Sequence, residues 1–181
     1  MIADKKILVT GGASGMGMTL VRGYARSGAR VASLDIDPAG EAIATAAQGE
    51  GLGSAFFIAC DVSDEAAVQA AVAQVVERLG GLDVLVHAAA VAPVTAAESI
   101  DLALVERVMA VNMTSTFLRN RAVFPYLKDR GGKIINFASS MGVVGAPNKA
   151  HYAASKGAVI ARTRSIAAAW GRYGITCNSI A

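Results

Sequence analysis

Short apolar runs alternate with amphipathic stretches along the whole chain. Lys6–Thr10, Arg30–Asp35, Ala55–Ala59, Val84–Val86 with its neighbours, Lys133–Phe137 and Thr176–Ile180 are brief, largely β-branched and abruptly ended. Such runs predict strands buried on both faces of a parallel sheet. The segments between them predict helices: Met18–Ser27, Pro38–Gln48, Asp64–Leu79, a long region over Asp101–Lys128 interrupted around Asn112, and Ala153–Tyr173. The third is the clearest. Val68, Val72, Val75, Val76 and Leu79 form one stripe, and Gly80-Gly81 stops it. Strict alternation of strand and helix implies right-handed crossovers and an α/β fold: a doubly wound parallel sheet (the Rossmann arrangement) between two helical layers. Ligands bind such sheets beyond the carboxyl ends of the strands. Gly11, Asp35, Asp61, Ala88 and Ser139 all stand at such ends.

The first of these ends carries a glycine cluster, Gly11-Gly-Ala-Ser-Gly15-Met-Gly17, set between a strand and a helix. Absent side chains at Gly11, Gly15 and Gly17 permit a tight turn and a close approach of pyrophosphate to the helix N-terminus. The second strand ends in Asp35, eighteen residues past Gly17. That spacing suits a carboxylate on the two ribose hydroxyls. A 2′-phosphate would be repelled there, and neither Ser14 nor Ile36 supplies a cation, so the expected cofactor is NAD rather than NADP. The competing reading is that Asp35 or Asp37 caps the helix at Pro38.

Near the other end lies His151-Tyr-Ala-Ala-Ser-Lys156, with Ser139 thirteen residues before the tyrosine. A spacing of four puts Tyr152 and Lys156 on one helix face. A phenol ordinarily titrates near ~10, and a cation held beside one favours the phenolate. The pair can therefore exchange a proton with a carbonyl or an alcohol. Alone, Tyr-x-x-x-Lys is weak and reads first as a solvated helix face; the glycine cluster gives it weight.

Thr10-Gly-x-x-x-Gly-x-Gly17, Asn112 within Ala110-Val-Asn-Met, and Ser139 with Tyr152-x-x-x-Lys156 together resemble the short-chain dehydrogenase/reductase family. The resemblance covers essentially the whole chain in order and spacing. It implies Tyr152 as acid/base, with Lys156 as the cation that assists it and holds the nicotinamide ribose. It implies Ser139 as hydrogen-bond partner of the substrate oxygen, and the Asn112 carbonyl as holder of a relay water. Gly11, Ser14, Gly15, Met16, Gly17, Asp35, Ile36, Asp61, Val62, Ala88 and Ala89, with Tyr152 and Lys156, become the cofactor residues. The Tyr–Lys spacing points away from enoyl reductases. Two departures stand out. The family's Asn-Asn-Ala-Gly is His87-Ala-Ala-Ala90 here. The residues also stop at Ala181, before the family's Pro-Gly segment, substrate lid and last strand. A lone His on an apolar strand reads first as a hydrogen-bonded core residue.

Composition narrows the rest. A length of 181 residues fits one domain, residues 1–181. Hydrophobic residues reach 54% and charged ones 17%, as buried strands and subunit contacts require. A net charge of +3 without a basic run gives no argument for nucleic acid. Cys60 and Cys177 read as buried thiols in a reducing cytoplasm. No Cys/His cluster suits a metal. The strand begins too close to Met1 for a signal peptide, and no apolar run spans a membrane. Small residues on the last helix (Ala153, Ala154, Gly157, Ala158, Ala161, Ala167–Ala169) suit a homo-oligomer interface or packing on the sheet. Met141, Val143, Val144, Pro147 and Asn148 suit an apolar substrate or loop packing equally. The expected function is hydride transfer between NAD(H) and a secondary alcohol or ketone. The alternative is a dinucleotide-binding module, or a fragment with little turnover.

Overall fold

A computed structural model describes residues 2–181. Six strands form one parallel sheet: β1 (Lys6–Thr10), β2 (Arg30–Asp35), β3 (Ser54–Ala59), β4 (Val84–His87), β5 (Gly132–Phe137) and β6 (Ile175–Ile180). Their order is β3-β2-β1-β4-β5-β6. The order reverses between β1 and β4, where Thr10 lies opposite His87 in the ladder. That switch point opens a crevice above the strand ends.

The helices are α1 (Gly15–Arg26), α2 (Ala39–Gln48), α3 (Glu65–Leu79), α4 (Leu102–Met109), α5 (Ser115–Leu127), α6 (Met141–Val144) and α7 (Ala150–Trp170). Ile7, Val9 and Val31 point to one face, where Val21 and Ala25 of α1 and Ala44 and Ala47 of α2 cover them. Leu8, Leu34, Leu85 and Ile134 point to the other, against Val68, Val72 and Val75 of α3 and Leu118, Val123 and Leu127 of α5. Side chains of a strand alternate between faces, so continuous apolar strands can feed both layers. The first face is less complete over the last strands: Lys133, Thr176, Asn178 and Ile180 are exposed. The three expected layers are therefore full over β1–β3 and thinner over β5–β6.

Two helix starts near the cleft differ from the sequence expectation, and one expected interruption takes a definite form. α1 starts at Gly15 rather than Met18, which puts the last two glycines of the cluster inside its first turn. α7 starts at Ala150, so Tyr152 sits in its opening turn. The expected interruption near Asn112 is a π-turn over Ala110–Thr114 between α4 and α5. Such wider turns break the regular ladder and are frequent at functional sites.

Candidate active site

The crevice above the switch point is a cleft of 710 Å³ lined by Gly11, Ser14, Gly15, Met16, Gly17, Asp35, Ile36, Asp61, Val62, Ala88 and Ala89. Every residue singled out for the dinucleotide outside α7 is on this wall. Cys60, Ser63, Ala90, Val91, Arg107, Ala110 and Val111 complete it. Of these, Val111 and Ala110 were legible as neighbours of Asn112. Arg107 carried no signal, because an arginine on an amphipathic helix reads as solvated.

The glycines do distinct work. Gly11 has φ +76°, and a Cβ there would lie 2.6 Å from Ala89 N, so the turn after β1 presses directly on the end of β4. Gly15 has φ +51° with open space where a Cβ would go. A side chain at Gly15 would project into that space. Ser14 is the extended N-cap of α1, and the first turn holds no acidic side chain to neutralise its amides. A bare helix N-terminus of this kind favours an anion. The residues present therefore fit a pyrophosphate on the geometry of the chain.

Asp35 at the end of β2 accepts from Ala13 N at 3.0 Å through Oδ2 and from Asp37 N at 3.1 Å through Oδ1. It braces the glycine turn and does not cap α2. Pro38 is the N-cap of α2, and Asp37 before it accepts from Ala39 N, the first helical residue, at 2.9 Å. At the end of β3, Ser63 donates to Asp61 Oδ1 from its hydroxyl at 2.7 Å and its amide at 2.8 Å. Those two bonds, hydroxyl first, hold the Asp61 carboxyl below its ordinary range.

The residues expected to handle the proton lie on the β4–β6 side. Lys156 is 3% exposed, and its Nζ donates to the Phe137 carbonyl at 2.6 Å, two residues before Ser139. Burial first, then the positive charge of Arg119, lower this ammonium to about 8. Tyr152 is half-buried, with Lys156 Nζ 5.7 Å and Lys149 Nζ 5.6 Å from its ring centre. Ser139 Oγ accepts from Met141 N at 3.2 Å, which leaves its hydrogen free to donate. Gly142 of α6 packs so tightly on α7 that a Cβ would meet Gly157 N at 2.7 Å and Lys156 C at 2.7 Å. The β5–α6 connection with Ser139 is thus pinned to the turn of α7 that carries Lys156.

Asn112 is 1% exposed, and its side chain is fully used: Oδ1 accepts from Val91 N at 2.8 Å, and Nδ2 donates to Val91 O at 2.9 Å and Ser155 Oγ at 3.0 Å. It ties the segment after β4 to the π-turn and to α7. His87 is a buried core residue, as its apolar strand suggested, with Nε2 2.8 Å from Asn120 Oδ1. Burial, then the charge of Arg119, press its pKa well below the ordinary value, so it is neutral. Among the described residues no cluster of His, Cys, Asp or Glu could hold a metal. Nor is any helix among them long and apolar enough to cross a membrane.

Comparison with known proteins agrees with this geometry. A family description, short chain dehydrogenase, matches residues 5–181. D-threitol dehydrogenase of Mycolicibacterium smegmatis is 38% identical over 177 residues, covering 97% of this chain and 68% of that one. 2,5-Dichloro-2,5-cyclohexadiene-1,4-diol dehydrogenase of Sphingobium indicum is 40% identical over 184 aligned positions, covering 99% and 72%. A crystal structure of a short chain dehydrogenase from Mycobacterium smegmatis superposes with a TM-score of 0.94 at 34% identity, covering 98% of this chain and 76% of that one. The chain belongs to the short chain dehydrogenase family, as an oxidoreductase that uses a nicotinamide cofactor on CH–OH groups.

Proposed function

We propose that the protein oxidises a secondary alcohol, or reduces the matching ketone, with NAD(H), using Tyr152 as acid/base. The observation that carries this reading is the convergence of Tyr152, Lys156 and the Ser139 loop at the carboxyl end of β5, through the Lys156 bond to Phe137 and the tight α6–α7 contact. A bound nicotinamide supplies the hydride acceptor or donor. When the cofactor is bound, the glycine turn and the α1 N-terminus would hold the pyrophosphate, Asp35 the adenosine ribose, and Asp61 with Val62 the adenine. Asp35 repels a 2′-phosphate and no cation at Ser14 or Ile36 offsets it, which favours NAD. Lys156 holds the nicotinamide ribose.

During oxidation Tyr152 takes the hydroxyl proton as the carbinol C–H electron pair leaves with its hydrogen. Ser139 donates to the substrate oxygen and orients it. The buried Asn112 side chain fixes the π-turn, and the Asn112 backbone carbonyl would hold a relay water to Lys156. In reduction the same groups would run backwards, with Tyr152 giving its proton to the carbonyl oxygen. Val143 and Val144 are 70% and 81% exposed on α6, next to Ser139 in the chain, so loop packing does not account for them. That favours an apolar substrate surface. Two buried thiols, Cys60 and Cys177, suit a reducing cytoplasm, and the helix pair α5–α7 is the proposed face of a homo-oligomer.

The test separates chemistry from binding. Tyr152→Phe should lower kcat by about 10²–10⁴-fold, the usual worth of a positioned acid/base, while NADH titrated by fluorescence still binds as to the wild type. Undiminished turnover in this variant would remove Tyr152 from the mechanism.

A further inference from the structure

Arg119 lies on α5 and is wholly buried. Among the described residues its guanidinium has no carboxylate partner. Nε donates to His87 Nδ1 at 2.7 Å and Nη2 to Ser115 Oγ at 2.9 Å, while Nη1 is shielded without a partner. The first bond sets the histidine tautomer: Nδ1 accepts, so Nε2 carries the hydrogen and donates to Asn120 Oδ1. Ser115 Oγ in turn donates to the Val111 carbonyl.

One side chain therefore joins two pieces of backbone that face the cleft. On one side His87 ends β4 and leads into Ala88 and Ala89. On the other, Val111 belongs to the π-turn that presents Asn112. Burying a cation without a counter-charge is costly, and an apolar side chain of similar volume would fill the space without that cost. A buried group retained half-satisfied beside a cleft calls for a functional explanation.

We propose that Arg119 is a positioning residue for hydride transfer, clamping the carboxyl end of β4 to the π-turn through His87 and Ser115. This rests on the dehydrogenase reading above and adds to it a residue outside the reacting set. The charge has a second consequence. Burial lowers the guanidinium to about 9, so it stays cationic at neutral pH. It faces Lys156 on α7, whose ammonium it helps to hold down after burial. The other groups around the pair are His87 from β4, Cys60 after β3, and Arg162 and Tyr152 from α7; none is a carboxylate. Removing the guanidinium removes one lowering influence, so Lys156 should keep its proton to higher pH.

Three variants divide the clamp. Arg119→Lys keeps the charge and loses the fork. Arg119→Met loses both. Ser115→Ala cuts only the link to the Val111 carbonyl. Each is measured by NADH fluorescence titration, by hydrogen exchange over residues 84–92 and 108–117, and by kcat, KM and the pH dependence of kcat/KM. The substrate is a secondary alcohol turned over by the wild type. All three should stay folded and bind NADH, with kcat down by about 10-fold to 100-fold and KM little changed, as a sub-ångström misplacement produces. Exchange over 108–117 should quicken in every variant. Only Arg119→Met should move the alkaline limb of kcat/KM upward, because it alone removes the charge; the fall in kcat at unchanged KM is the readout that a merely structural arginine would not give. Folded Arg119→Met and Ser115→Ala proteins with wild-type kcat and unchanged exchange would overturn the clamp. If Arg119→Met fails to fold, Ser115→Ala decides by the same two readouts. A failure of the dehydrogenase reading looks different: the wild type itself would transfer no hydride, and the exchange over 108–117 would then judge the clamp alone.

Discussion

The two halves of the sheet are built by different chemistry. Around β1–β3 the core is almost wholly apolar, and among the described residues only Thr10 and Ser33 are buried and polar there. The polar cleft wall of that half is largely backbone: a glycine turn, a helix N-terminus and the two short carboxylates Asp35 and Asp61. Around β4–β6 the interior is threaded with polar side chains, among them His87, Asn112, Ser115, Arg119, Asn120, Asn136, Ser155, Lys156 and Thr163. Backbone amides suffice to hold a phosphate, whose charge is spread and symmetric. Moving a proton demands side chains at fixed positions, and fixed positions demand partners. In the proposed reaction the first half would hold the cofactor and the second would aim the groups that use it.

That contrast can be broken at either end. The largest effect belongs to Gly11→Val. The left-handed conformation alone costs a branched side chain about 1–2 kcal/mol, and its Cβ would strike Ala89 N. NADH affinity should fall by about 100-fold or more, read by fluorescence titration. Asn120→Leu probes the other half. It leaves the buried His87 Nε2 hydrogen without its acceptor, at a cost of about 1–3 kcal/mol, although it adds apolar volume. Urea melts measure this, and a neutral or stabilising result would mean that the polar interior of the second half is incidental. The smallest effect is expected from Asp35→Ala. The preference for NADH over NADPH should shrink by about tenfold as the like charge disappears. An unchanged ratio in paired titrations would remove Asp35 from cofactor choice.

The first half was also the more legible. Glycines at positive φ, an acid at a strand end and a helix that follows a strand are local features, and their spacing puts Gly11, Gly15 and Asp35 beside one cleft, where the structure has them. The strand pattern gave the element order because buried parallel strands are uniformly apolar. The second half hid more. Arg119 and Arg121 stand two apart on one helix, yet one is wholly buried and the other exposed. Nothing in their neighbours separates them, because the difference depends on His87, thirty-two residues earlier, across the sheet. Likewise α6 follows no periodic pattern; it is held by the tight contact of Gly142 with α7. Asn112 was legible as a motif residue, but its side chain as a brace between Val91 and Ser155 was not.

The most direct measurement follows the hydrogen itself. The protein is mixed with NAD and a secondary alcohol deuterated at the carbinol carbon, and the cofactor is then analysed by mass spectrometry. The account predicts one deuterium on the reduced nicotinamide and a ketone in equal amount. Reduced cofactor without deuterium, or none formed across a panel of alcohols by protein that binds NADH, would contradict it.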